Sequence, residues 1–291
     1  MLAAKSRCSE PEFDVRHFVK LRDFIYRLTG IYFEEKKLYF VKKRVLAEMK
    51  RHGFEDFTSY YRTLRFGRNE ELLQSLINAL TTNETYFFRE FDQLAVFAEE
   101  CLPLVCEAKE RRGVKRLRIW SAGCSTGEEP YTLSIILLEM IDDLPSWDAR
   151  IEATDIDTRA LDFARRGVYG LRSVKHVPEE YFRKYFRPAG PNLFAVTEEV
   201  KALVRFYHLN LLDGEKMSRM KGFDFIFCRN VLIYFDEKAR RQVVEHFYRA
   251  LLPGGFIFLG HSESLSRITS AFRIRRLGGM IVYQKPEEAQ E

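Results

Sequence analysis

From residue 116 onward the chain alternates short apolar runs with helical ones, and that alternation restricts the fold more than any other feature of its 291 residues. Residues 116–121 (RLRIWS), 150–154 (RIEAT), 204–209 (VRFYHL), 223–228 (FDFIFC) and 255–260 (GFIFLG) read as strands. Residues 130–141, 158–166 and 237–252 read as the helices between them, the first with a proline early, where its missing N–H costs little. Residues 272–277 and 280–284 predict a closing hairpin around Gly278-Gly279. Strands alternating with helices call for a mainly parallel, doubly wound α/β sheet.

Two stretches depart from that pattern. Residues 1–80 predict a separate helical domain, with periodic apolar segments at 13–28, 36–51, 54–64 and 70–80 punctuated by Gly30, Gly53 and Gly67. Residues 81–291 then form the α/β domain. Within it, residues 168–203 hold three prolines and short strand-like fragments, and predict a small antiparallel β-subdomain inserted in the main fold.

Composition narrows the function classes. The chain is 46% hydrophobic and 31% charged, which is globular. No apolar run approaches the ~20 residues of a membrane helix, and MLAAKSRCSEPEF lacks a signal-peptide core. A cytoplasmic protein is expected. The five cysteines (Cys8, Cys101, Cys106, Cys124, Cys228) form no CxxC pair and no Cys/His cluster, so neither a disulfide framework nor a metal site is expected. Residues 1–80 hold 16 Lys and Arg against 11 Asp and Glu, which is the whole +5 of the chain.

Residues 119–131 read IWSAGCSTGEEPY: a strand, a glycine turn, then a helix. Ligands of open α/β sheets lie beyond the carboxyl ends of the strands, where this turn sits. A phosphate-binding loop needs a lysine after its last glycine. Glu128 and Glu129 stand there instead and would repel a phosphate. A ligand with hydroxyls and positive charge fits better, and S-adenosylmethionine carries a ribose, an ammonium and a sulfonium. A purely structural turn is the plain alternative. The second strand ends in acid (ATDID), and Asp155 is the candidate for ribose hydroxyls, while Asp157 is placed to cap the next helix. Arg229, Asn230 and Tyr234 crowd the end of the fourth strand and need partners there. In LTTNETYFFRE (residues 80–90), Asn83, Thr85 and Arg89 are polar among aromatics; a capped helix start accounts for them equally.

Together, TTNETYFFRE, WSAGCSTGEEPYTLS, ATDID, FCRNVLIYFD and LLPGGFIFLGHSESL resemble, in order, the chemotaxis receptor glutamate O-methyltransferases of the CheR type. That resemblance implies a Rossmann-like class I methyltransferase domain, the inserted β-subdomain and a small all-α domain in front. It implies S-adenosylmethionine as donor, a receptor glutamate as acceptor and a receptor helix as partner. Carried over, Asn83, Thr85, Arg89, Glu128, Asp155, Asn210, Leu211, Arg229 and Asn230 contact the donor, with Glu129 not separable from Glu128. Arg89 and Tyr234 lie nearest the transferred methyl. In some relatives the β-subdomain grips a receptor peptide; the loop FRPAGPNLF is short for that use.

The chemistry asks little of side chains. A glutamate with an ordinary pKa of about 4.3 is already ionised at neutral pH. No general base is needed, and His208, His246 and His261 read as structural. Residues 36–51 carry seven Lys and Arg and one Glu around an apolar face of Leu38, Val41, Val45 and Met49. An acidic receptor helix is the expected partner of that surface, rather than nucleic acid or membrane. The other readings are methylation of RNA or a small molecule, and donor binding without turnover.

Overall fold

The computed structural model describes residues 12–287. Cys8 and the last residues of the tail PEEAQE lie outside them. The chain divides into two compact units, Met1–Thr81 and Thr82–Glu291.

The first unit is all helical. Helix α1 (Val15–Thr29) starts at Asp14, whose carboxylate accepts the His17 N–H, and ends where Gly30 turns left-handed. A single 3₁₀ turn (Glu35–Lys37) leads into α2 (Leu38–Arg51). Helix α3 (Phe57–Phe66) begins three residues later than the sequence suggests, because Asp56 is its cap. Helix α4 (Glu70–Leu80) is capped by Asn69. Phe18, Leu21, Ile25, Val45, Met49 and Tyr60 fill the centre of this unit. Arg44 is not part of a free basic surface: its guanidinium donates to the carbonyls of Ala79 and Thr81, where α4 leaves acceptors without helical partners.

In the second unit, α5 (Phe91–Val96) passes through one π turn (Phe97–Cys101) into α6 (Leu102–Glu110). The expected helix start within residues 80–90 does not form. Residues 81–86 are irregular, and Phe88 and Glu90 take left-handed φ of 58° each, which no helix propagates through.

The main sheet is built from β1 (Arg116–Ala122), β2 (Asp148–Asp155), β6 (Val204–His208), β7 (Phe223–Cys228), β8 (Leu251–Leu259), β9 (Arg273–Leu277) and β10 (Met280–Gln284). Their order is β6-β2-β1-β7-β8-β10-β9. The first five are parallel; β10 and β9 close the edge antiparallel. Helices α7 (Glu128–Met140), α8 (Thr158–Arg166), α12 (Gly214–Arg219) and α13 (Glu237–Ala250) make the crossovers. Between α8 and β6, the short strands β3 (Val168–Gly170), β4 (Phe186–Gly190) and β5 (Leu193–Val196) form a separate antiparallel sheet in the order β3-β5-β4. Three helices of this region escape the sequence reading: α9 (Leu171–Val174), α10 (Glu179–Tyr185) and α11 (Glu198–Ala202). The last two follow a Pro or Thr with paired glutamates in the first turn, a helix-start pattern that the prolines and aromatics around it mask.

The chain leaves β1 in one direction, to β2 and β6, and returns on its other side to β7 and β8. That reversal opens a crevice at the carboxyl ends of β1 and β7, which pair directly (Ser121 with Phe227). Beneath it the core is aromatic. Phe97 meets Phe225, Phe227 and Phe258 edge-on, with ring centroids 5.0, 5.1 and 5.8 Å away. The buried Trp120 donates its indole N–H to Thr154 at 2.9 Å.

The turn after β1 ends on Gly127, at φ 95°, and a Cβ there would lie 2.8 Å from the Ala164 Cβ and 2.9 Å from the Tyr169 hydroxyl. Gly113 has a similar φ of 69° but open space around it. Gly127→Ala is expected to destabilise the chain by about 2–4 kcal/mol and Gly113→Ala by only about 1 kcal/mol. Denaturant midpoints of the two variants check this; equal losses would show that backbone conformation alone matters at Gly127.

Candidate active site

The turn Gly123–Gly127 is held from β2. Backbone N–H groups of Gly123 and Cys124 both donate to the Thr154 carbonyl, at 2.8 and 2.9 Å. A Cβ on Gly123 would run into Val231, so the turn lies against the segment that follows β7. Asp155 extends the attachment: one carboxylate oxygen accepts the Ser125 N–H at 2.7 Å, the other the Asp157 N–H at 2.8 Å. Burial pushes its pKa up to about 6, against the pull of those two N–H groups. Asp155 thus shapes the turn, besides standing where the ribose-binding acid is expected.

Asp157 caps α8 through Arg159 and Ala160, as the sequence indicates. Its second oxygen accepts from the Asn83 side chain at 2.7 Å. Asn83 in turn accepts from the Ser125 hydroxyl at 3.0 Å. Asn83 thus bonds both the turn and α8, one N–H and one lone pair of its amide remaining, and the irregular segment before α5 is fastened there. Thr85 lies half-buried in the same segment.

The two glutamates diverge. Glu128 is turned into the protein, 2% exposed, accepting from the Thr126 and Ser173 hydroxyls at 2.6 and 2.9 Å, and burial raises its carboxyl pKa. Glu129 faces the strand ends, accepting from the Ser121 hydroxyl and from Arg229 Nε, both at 2.6 Å. Arg229 also donates through Nη1 to the Arg89 carbonyl at 2.8 Å. Among the described residues Arg229 is the one buried Lys or Arg.

Asn230 adopts a left-handed φ of 61°. Its N–H and those of Ile233 and Gly260 converge on the Glu263 carboxylate at 2.8, 3.2 and 2.8 Å. Burial raises the Glu263 pKa while these donors oppose it. The Asn230 side chain donates to Glu90 at 3.2 Å. Tyr234, 37% exposed, lies at the mouth. Burial raises its phenol pKa, opposed by the charge of Arg89 and a bond with Thr82, so the hydroxyl keeps its proton at neutral pH. Arg89 itself donates to the Glu84 carbonyl at 2.7 Å.

Asn210 and Leu211 stand one strand further out. Leu209 donates its N–H to the Asp155 carbonyl at 3.0 Å; Asn210 receives the Leu212 N–H at 3.0 Å, and Leu211 is buried.

Three sets of contacts thus lie at these strand ends: Asn83 and Asp155 on the turn through Ser125, Arg229 with Glu129 and the Arg89 carbonyl, and Asn230 with Glu90 and Glu263, while Tyr234 feels the charge of Arg89. Sequence reading overlooked Glu90 and Glu263. The latter's signal was a glutamate three residues past Gly260, which follows the end of β8; that is the spacing of a capping acceptor. Of the buried or nearly buried carboxylates here, Glu129 and Glu90 meet the one buried cation, Arg229, at 2.6 and 3.8 Å, while Asp155, Asp157 and Glu263 are held by backbone N–H groups and Glu128 by hydroxyls. A surplus of carboxylate over cation at these strand ends disfavours phosphates and rewards a cation. Among the described residues no set of His, Cys, Asp and Glu is placed to hold a metal ion, and no helix is long and apolar enough to cross a membrane.

Comparison with known proteins agrees with this geometry. Residues 83–279 match the profile of the CheR methyltransferase SAM binding domain, and residues 16–81 that of the CheR methyltransferase all-alpha domain. Chemotaxis protein methyltransferase 2 of Vibrio cholerae is 44% identical over 94% of this chain and 94% of its own length. Chemotaxis protein methyltransferases of Salmonella typhimurium and Escherichia coli are 38% and 36% identical, each over 92% of this chain and 89% and 90% of their own lengths. The fold, the crevice and these matches make this chain a member of the CheR methyltransferase family.

Proposed function

We propose that this methyltransferase esterifies glutamate side chains on the cytoplasmic helices of chemotaxis receptors, with S-adenosylmethionine as donor. The observation that carries the reading is the surplus of buried carboxylate around a glycine turn without lysine. When bound, the donor supplies an electrophilic methyl on a sulfonium. The names of the relatives favour receptors over RNA or small-molecule acceptors, and over binding without turnover.

The residues fit the donor on two counts. Glu90 has a buried carboxylate oxygen with no hydrogen-bond partner, 3.8 Å from the Arg229 guanidinium that Glu129 already pairs with, so carboxylates outnumber cations there. Gly123 admits no Cβ between the turn and Val231. Asn83, Thr85, Arg89, Asp155, Asn210, Leu211, Arg229 and Asn230 are assigned to holding it. Of the two glutamates, Glu129 takes the place at the strand ends, because Glu128 is turned away onto Thr126 and Ser173.

At the mouth, Arg89 and Tyr234 are assigned to the acceptor carboxylate. The carboxylate arrives ionised, so the protein removes no proton. Its work is alignment, worth up to roughly 7–11 kcal/mol when reacting atoms are held in line. Arg89 is tethered through Glu84 and presents its remaining N–H groups; Tyr234 keeps a phenolic proton to donate. Arg89→Ala is expected to lower kcat/KM at least a hundredfold in a folded protein. Labelled methyl transfer to receptor membranes, with base release of methanol from the esters, measures it. Turnover near the unaltered rate would remove Arg89 from the mechanism, and base-stable label would point to another acceptor.

Asp155 gives the binding a pH dependence. Folded, it holds its proton to about pH 6; its ordinary value is 3.8. Between those values folding takes up a proton, so this group's contribution to stability falls as pH rises through the window. Donor binding is assigned to the ionised carboxylate, so affinity rises across the same window. Adenosylhomocysteine affinity, read by calorimetry, should increase about tenfold from pH 5 to pH 7 and level off above. In Asp155→Asn the slope should vanish; a flat profile in the unaltered protein would exclude the role.

For the receptor helix we assign the exposed cations of α2 and the turn before it. Lys36 and Arg51 already have acidic neighbours in Glu34 and Glu48, and Arg44 caps α4. Lys43 and Lys50 are exposed and pair with no acid among the described residues. Reversing Arg44 would therefore damage the helical unit. Lys43→Glu with Lys50→Glu is the cleaner change, expected to raise KM for receptor membranes about tenfold and more steeply at low salt. Adenosylhomocysteine affinity should stay constant; a parallel loss of both would show damage to the fold.

A further inference from the structure

Glu90 is the last residue of the irregular segment before α5 and occupies the N-cap position of that helix, yet its side chain makes no capping bond there. The carboxylate, 9% exposed, is turned toward the end of β7. One oxygen accepts from Asn230 Nδ2 at 3.2 Å. The other, buried without a hydrogen-bond partner, lies 3.8 Å from Arg229 Nη1. That same Nη1 donates to the carbonyl of Arg89 at 2.8 Å. Residues 89 and 90 are thus joined to residues 229 and 230 by crossed contacts. Both Glu90 (φ 58°) and Asn230 (φ 61°) are left-handed non-glycine residues, conformations that persist only where surroundings hold them.

We propose that Glu90 is a positioning residue for methyl transfer, a clasp that keeps the segment bearing Arg89 in register with the loop bearing Tyr234. The proposal rests on the assignment of those two side chains to the acceptor. Arg89 immediately precedes Glu90, and Tyr234 lies one turn beyond Asn230, so the clasp sets the distance across the mouth. Neutralising Arg229 is a lesser role, because Glu129 already meets its Nε at 2.6 Å. The contact that matters is the one to Asn230, and a glutamine at position 90 keeps an oxygen for it.

Glu90→Ala and Glu90→Gln in the full chain separate these roles, since both keep a Cβ and the same backbone strain. Three measurements are made: kcat and KM with receptor membranes, adenosylhomocysteine affinity, and amide hydrogen exchange over residues 82–94 and 229–235. Glu90→Ala should lower kcat by about ten- to a hundredfold while adenosylhomocysteine affinity moves less than about threefold. Exchange should quicken in those two segments and nowhere else. Glu90→Gln should return kcat to within about threefold of the unaltered protein and restore slow exchange. The clasp is overturned by unchanged kcat and exchange in Glu90→Ala, by a Glu90→Gln variant as impaired as the alanine one, or by faster exchange across the whole sheet. If the unaltered protein leaves receptor glutamates unmethylated, the acceptor assignment fails. The exchange comparison needs no acceptor and judges the clasp separately.

Discussion

Arg229 is the interaction on which the rest of the crevice depends. Its side chain, 4% exposed, sits at the end of β7 between Glu129 of α7 and the backbone of Arg89. Three stretches far apart in sequence converge on one guanidinium. A buried ion pair of this kind contributes little net stability, because desolvating both charges offsets their attraction. Its effect is on specificity: the planar donor fork fixes where each stretch lies. Without it, Glu129 would be a buried charge lacking its cation, and the segment before α5 would lose a backbone anchor.

The carboxylates around that cation divide into two kinds. Asp155, Asp157 and Glu263 accept backbone N–H groups and act as splints for turns that no regular structure supports. Burial raises the pKa of Asp155 and Glu263, and those N–H donors are what lower it again. Glu90 and Glu129 contact side chains across the crevice instead. One group gives the site its shape; the surplus charge of the whole gives it a preference for cations. Under the proposed function catalysis by alignment needs both, because a carboxylate acceptor would bring its own nucleophile and leave the protein only placement to supply.

Much of this was legible in the sequence. The five parallel strands are each marked by an apolar run, and β7 falls on the predicted residues because nothing polar interrupts FDFIFC except Asp224. The α8 cap was readable from Asp157, a short acid before a periodic run. Less legible was the region between α8 and β6, where α10 and α11 are shorter than two helical periods and show no periodic pattern, only a start signal that their neighbours mask. The segment before α5 was open to two readings, of which the helix start failed although Asn83 is a good capping residue locally. Its side chain bonds Asp157 and Ser125, 74 and 42 residues away, and such distant partners leave no local trace.

By itself the sequence determined the class of fold, the place of the crevice at the end of the first strand, and a sign of charge unsuited to phosphate. Strand period, turn composition and the absence of a lysine are local properties, and local properties are what a sequence displays. Only the tertiary structure decided which glutamate faces inward, that Arg44 closes a helix rather than joining a basic surface, and that Glu90 reaches Asn230. Those outcomes depend on which buried donors and acceptors meet, and burial brings together residues that the chain keeps 35 to 140 positions apart.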